Sequence, residues 1–257
     1  AFSTEVSFAY KDVKAESLLN SFNAAYSIQT PTGRINGGTD VFRHANVADN
    51  VNFKLGVDAT YLMDEHTLNF GYEVERLNLF NLFAESSLGS WTFDNTNSGA
   101  VSGMTNFAQK KPTAFDYKNA PSNKIEDTTV DLTRTTHVLY VEDEFSPIDD
   151  VDVTAGLRYE RLATNDTPTL SPAFQKQYGF PNTEAMDGLD VVLPRLGVKW
   201  YLTESTTLRG GVGLFTGGQP NVWVTNSYTN NGMTFVQAPK SVRDQVLTNP
   251  ANVDFNN

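Results

Sequence analysis

Carboxylates are the side chains of this sequence with the most chemistry to offer. Glu73 and Glu75 stand two apart, Glu142, Asp143 and Glu144 are contiguous, and Asp149, Asp150 and Asp152 crowd one turn. Two carboxylates flanking a sugar could serve as acid and nucleophile in glycoside hydrolysis. A cluster of them could hold calcium, which takes several carboxylate oxygens. Nothing around Glu73 and Glu75 separates an acid from a nucleophile, and a two-residue spacing on a strand also suits any polar wall. The acidic runs lack the D-x-[DN]-x-[DN]-G loop of a calcium hand and read more simply as solvated turns. No G-x-S-x-G elbow, P-loop or dinucleotide fingerprint occurs. His44, His66 and His137 are scattered and there is no cysteine, so no zinc-type ligand spacing exists. The glycine-rich "GGVGLFTGG" (210–218) continues a strand and opens no helix, so it cannot cradle phosphate at a helix N-terminus. The expectation is a non-enzyme without metal or cofactor.

Binding is the better use of what remains. Trp91 and Phe93 fall in one long polar segment, Trp223 and Tyr228 in another, among Asn and Gly neighbours. Such rings can stack on a sugar, a peptide or a planar chelate while nearby amides set orientation. They can equally pack a loop onto itself or sit in an interfacial aromatic belt. Arg43, next to His44, could meet an anionic ligand, or the pair could serve hydrogen bonds inside its own loop. Trp91, Phe93, Trp223, Tyr228 and Arg43 are therefore the candidate contacts for an unknown small solute or peptide.

The elements that must carry these residues are strands. In "VDVTAGLRYE" Val151, Val153, Ala155, Leu157 and Tyr159 alternate with Asp152, Thr154, Gly156, Arg158 and Glu160. The same two-residue period runs through "FSTEVSFAYK", "FKLGVDATYLM", "TLNFGYEVE", "RLGVKWYL" and "TLRGGVGLF". "HVLYVEDEF" holds apolar residues on both parities, and its facing stays open. The count is about seven strands of about 9–12 residues, long against a mode of ~5–6 in soluble sheets, with no convincing amphipathic helix. Short turns near 64–66, 147–150 and 203–205 alternate with long segments at roughly 12–51, 80–134, 164–189 and 217 onward. Short turns at one end and long loops at the other are the asymmetry of an outer-membrane barrel. A soluble β-sandwich would also alternate polar with apolar. Charge placement favours the barrel: Lys54, Asp58, Glu73, Arg158, Lys199 and Arg209 all avoid the apolar parity, where a mid-bilayer Lys or Arg would cost ~2–4 kcal/mol.

With 257 residues and 19 Lys+Arg against 30 Asp+Glu, the net charge of -11 argues against a nucleic-acid partner, which would call for clustered basic residues. No stretch reaches the ~20 apolar residues of a membrane helix, but strands of ~9–11 residues give little hydropathy signal.

Five blocks then become familiar together. "RHANVADN" (43–50), "HTLNFGYEVERLNLFNLF" (66–83), "LYVEDEFSPIDDVDVTAGLRYER" (139–161), "LPRLGVKWYL" (193–202) and "TLRGGVGLFTGGQPNVWVTNSYTNNG" (207–232) resemble, in order, the barrel region of TonB-dependent outer-membrane receptors, within their large Oar-like subgroup. The resemblance implies an all-β, up-and-down antiparallel transmembrane barrel of Gram-negative bacteria, of which residues 1–257 would be a partial segment, with the plug domain outside it. It implies partners too: the outer-membrane bilayer, and the TonB complex through regions beyond this chain. The implied function is energised solute uptake, with solute bound through long extracellular loops. A non-transporting structural or adhesion barrel is the alternative.

Overall fold

The computed structural model describes residues 1–19, 23–218 and 221–255. Gln219 and Pro220, inside the last of the familiar blocks, lie outside them. In chain order the strands are β1 (Phe2–Glu16), β2 (Ala25–Thr30), β3 (Gly33–Gly37), β4 (Asn46–Met63), β5 (His66–Phe83), β6 (Ser90–Phe93), β7 (Ala114–Asp116), β8 (Lys118–Asn119), β9 (Val130–Ile148), β10 (Val151–Ala163), β11 (Asp190–Thr203), β12 (Thr206–Gly213) and β13 (Val236–Gln237). The α-helices are α1 (Gly103–Ala108), α2 (Pro172–Tyr178), α3 (Asn221–Thr229) and α4 (Arg243–Thr248).

Seven strands form one open sheet in the order β1-β4-β5-β9-β10-β11-β12, each antiparallel to its neighbour. Strands adjacent in the sheet are thus adjacent in the chain once the small elements are set aside, which is the up-and-down meander expected. Two-residue turns join β4 to β5, β9 to β10 and β11 to β12. In the first, Asp64 adopts φ 50°, a left-handed conformation that Asp tolerates in tight hairpins. All the long connections leave from the other end.

Register fixes which residues share a face. The cross-sheet row Asp58, Gly71, Tyr140, Arg158 and the row Gly56, Glu73, Val138, Glu160 lie on one side. The intervening row Val57, Tyr72, Leu139, Tyr159 lies on the other. The parity holds in the stretches where the sequence shows it, with Leu68, Phe70, Tyr72, Val74, Val153, Leu157 and Tyr159 on the apolar side. It also settles "HVLYVEDEF": Leu139, Val141 and Phe145 join the apolar face, while Val138, Tyr140, Glu142 and Glu144 join the polar one. Asp143 falls on the apolar face and is met there by His66 Nδ1 at 2.7 Å. That apolar face carries exposed Phe8, Tyr10, Phe53, Leu139, Leu157, Trp200 and Leu208, and among the described residues no protein layer lies over them.

Beyond Arg76 the two faces exchange character. On β5 the polar-side positions become Leu77 and Leu79, and on β9 they become Val130 and Leu132. These four residues are buried together under Val224 and Tyr228 of α3. The strands consequently run further than the apolar outer band. β4 starts at Asn46, β5 continues to Phe83 and β9 starts at Val130, well inside stretches expected to be loop. The long segments shrink to 17–45, 84–129, 164–189 and 214 onward. They are also structured, against the expectation of no helix. α1 is capped by Ser102, which accepts from the Thr105 N–H. α2 has Ser171 as cap, Pro172 at its first position and Gly179 at φ 80° to end it. Helices of one or two turns are too short to show a helical period.

Candidate solute-facing surface

The polar face is built from ion pairs that link neighbouring strands. Lys54 of β4 lies 2.9 Å from Glu73 of β5, and Arg158 of β10 reaches the same carboxylate at 3.5 Å. Arg158 Nε also donates to Glu160 at 2.7 Å, and Arg195 of β11 pairs with Glu142 of β9 at 2.5 Å. The Tyr140 hydroxyl donates to Asp58 at 2.5 Å across Gly71. A Cβ at Gly71 would stand 2.7 Å from the Tyr140 ring and 2.8 Å from the Val57 carbonyl, so the glycine makes room for that reach. Glu75 accepts from Asn52 Nδ2 at 2.8 Å. Glu73 and Glu75 therefore serve as members of a charged wall, each held by its own partner.

The acidic turns do not converge. Glu142 and Glu144 point to the polar face and Asp143 to the other. Asp152 accepts from Ser146 and from Tyr201, both at 2.9 Å. Among the described residues no group of three carboxylate or imidazole side chains is arranged to hold a metal.

The five candidate contacts are dispersed. Trp91 and Phe93 sit on β6, in a second sheet ordered β3-β2-β6-β7 within the long segments. They are 7% and 4% exposed, in a core with Ile28, Tyr117, Val242, Val246 and Val253. Trp91 stacks on Phe115 at 5.6 Å and Phe93 meets Phe107 edge-on at 5.2 Å. These two rings bind three long segments into one layer, and among the described residues both are enclosed by that packing rather than open to a solute. Burying a Trp and a Phe supplies apolar area that helps hold these Asn- and Gly-rich segments together. Tyr117 lies in the same core, where burial raises the pKa of its hydroxyl, and that hydroxyl donates to Asn123 at 2.7 Å. Trp223 and Tyr228 share α3 with opposite fates. Trp223 is 75% exposed. Tyr228 packs on the Leu77–Leu132 cluster, donates to the Asp166 carbonyl at 2.7 Å and has its pKa raised by burial. Arg43 is exposed at the end of a short helical turn, and its neighbour His44 is buried in hydrogen bonds within the loop layer.

Sequence reasoning missed Arg134. It lies on β9 two positions beyond Thr136 on the polar parity, 5% exposed, lining a cavity of about 470 Å³. The signal was present in "VERLNLFNLF", where the apolar parity switches and so marks an inner face that becomes covered.

A sheet with one uncovered apolar face, one charged face and every short turn at one end has few homes. The chain matches the outer membrane beta barrel domain family over residues 5–256. It belongs to that family. The barrel segment therefore resides in the outer membrane, its apolar face toward lipid and its charged face toward the lumen. From Phe53 to Tyr61 the lipid-facing band has the ~9–11 residues that a tilted strand needs. Among solved structures, the outer membrane transporter YddB from Escherichia coli aligns with a TM-score of 0.44 and 15% identity, over 85% of this chain and 24% of that one. This chain thus spans about a quarter of the length of that transporter. Comparison with curated proteins gives no match.

Proposed function

We infer that this segment is part of the wall of a TonB-dependent receptor of the Oar-like kind its sequence resembles. In this reading the receptor takes up a solute captured at the long-loop end and does no chemistry on it. One observation carries the reading: the last long segment turns back over the lumen face. α3 is seated on Leu77, Leu79, Val130 and Leu132, and a charged cavity lies beside it on the lumen wall. A purely structural wall would need neither an apolar seat on its inner face nor a polar cavity next to it. The inner carboxylates Glu73 and Glu160 are engaged by Lys54 and Arg158, which suits passage better than catalysis.

The test is depletion of a defined mixture of peptides, oligosaccharides and iron chelates by cells carrying the full-length gene, with and without TonB. The expected result is that one class disappears faster only when both are present. Equal depletion of every class in all strains would move the protein to the adhesion or structural reading.

A further inference from the structure

The cavity on the lumen wall contains polar atoms that the protein does not satisfy. Arg134 is 5% exposed, and its Nε has no hydrogen-bond partner among the described residues. The Oδ1 atoms of Asn50, on β4, and Asn221, at the start of α3, are likewise buried and without a partner, and both residues line the same cavity. A buried donor or acceptor left unpaired is costly, more so when it is charged, and interiors of proteins rarely tolerate several in one place. Three residues on three different elements, each carrying such an atom, line one space of about 470 Å³, and a group that enters it with the missing partners would satisfy them.

Their chemistry defines it. Nε of Arg134 is a donor on a permanent cation and calls for an anionic acceptor. The two amide oxygens call for donors. No other charge lining the cavity bonds Nε of Arg134 among the described residues. Glu73 and Glu160 are taken by Lys54 and Arg158, and Glu75 is bonded to Asn52. Glu75 is near enough to act on Arg134 through charge. Counting the ionisable residues that line the cavity, Lys11, Lys54, Arg134 and Arg158 oppose Glu73, Glu75 and Glu160, which leaves an excess of one positive charge. We propose that this cavity is a binding site for a small carboxylate that bears hydroxyl or ammonium donors beside its acid group, such as a sugar acid or an amino acid. The acid group bonds Arg134, and its donors bond Asn50 and Asn221. Use of the site in uptake rests on the transport reading above; binding itself does not.

Equilibrium titration of the purified full-length protein in detergent tests the site, with galacturonate, serine and galactose as probes. Galacturonate offers acid and hydroxyls, serine offers acid and ammonium, and galactose offers hydroxyls alone. Saturable binding is expected for galacturonate or serine and not for galactose, and the responding acid separates the two sources. Arg134→Gln is expected to weaken that binding about tenfold or more, because a charge-assisted bond is lost. Heat-modifiable migration reports whether the variant assembles. Should Arg134→Gln fail to assemble, Asn50→Asp replaces it. That change puts a competing carboxylate on the cavity wall and is expected to abolish binding with the barrel intact. Absence of saturable binding by either acid, binding of galactose equal to that of the acids, or unaltered affinity in an assembled variant would each overturn the site. Binding that holds in a protein showing no TonB-dependent depletion would leave the site standing and remove the transport reading.

Discussion

Leu88 donates its backbone N–H to Nδ1 of His44 at 3.1 Å. With Nδ1 accepting, the proton of a neutral ring sits on Nε2, which lies 3.1 Å from the Thr39 carbonyl. One buried imidazole thus joins the first long segment to the second, and both of its nitrogens are committed. Protonation would place a hydrogen on Nδ1, opposite the Leu88 N–H. Burial accordingly holds the pKa of His44 below its ordinary 6.5, with the Thr39 bond and the Asp40 charge pulling the other way.

The pH dependence follows from that direction. Above about 6.5 the ring is neutral whether the loop layer is folded or not, and the tie contributes fully. As pH falls through about 6.5, the unfolded loop takes up a proton that the folded one resists, so stability drops until the lower folded pKa is reached. The protection factor of the Leu88 amide, its exchange corrected for the intrinsic pH dependence, should fall between pH 7.5 and 5.5. In His44→Asn, whose amide oxygen can still accept from Leu88, that loss of protection should vanish. Equal loss of protection in both proteins would place the pH effect elsewhere.

Facing makes a second prediction, because a register shift of one residue would reverse every side chain. Leu157 points to lipid, and the adjacent Arg158 points to the Glu73 and Glu160 carboxylates. Leu157→Arg should cost ~2–4 kcal/mol in the membrane and strongly reduce the heat-modifiable form, whereas Leu157→Met should assemble normally. Normal assembly of the arginine variant would mean that residue 157 faces water.

The strand alternation was legible because it is a local property of each stretch, and so was the polarity of the loop ends. The limits of the strands were not. Leu77, Leu79, Val130 and Leu132 keep the strand period but change faces, and a reader of parity alone takes that change for the end of the strand. What covers them is α3, some 90 residues further along than Leu132, and no local pattern reveals a contact of that range. The same limit hid the role of Trp91 and Phe93. A lone aromatic in a polar segment looks available for ligand until Val242 and Val246 arrive from the far end of the chain. For Arg134 only half the signal was local: the parity switch in "VERLNLFNLF" marks an inner face that becomes covered, but the burial of Arg134 itself depends on the same returning segment.

The seat of α3 can be measured directly. Leu132 is 2% exposed beneath Val224 and Tyr228. Truncation to Ala leaves a cavity, and such changes cost about 2–5 kcal/mol. The strand ladder through Leu132 is unaltered, so Leu132→Ala should assemble into the membrane yet expose α3 to protease near residues 221–230. Protection of that helix at the wild-type level would show that its docking draws on other contacts.

The two tryptophans give the sharpest contrast. Trp91 is enclosed by Phe115 and the loop core, whereas Trp223 is three-quarters exposed on α3. Trp91→Ala should cost about 3–5 kcal/mol of loop-layer stability, seen as early proteolysis of residues 84–129. Trp223→Ala should change stability by no more than about 0.5 kcal/mol, as surface substitutions do. If Trp223 stacks on a passing solute, as its exposed ring allows, its loss should slow uptake while proteolysis and assembly stay normal. The paired measurement separates the roles, because a residue that only packs loses protection and uptake together, and a contact residue loses uptake alone. Unchanged uptake in Trp223→Ala would leave solute capture to the lumen wall around Arg134.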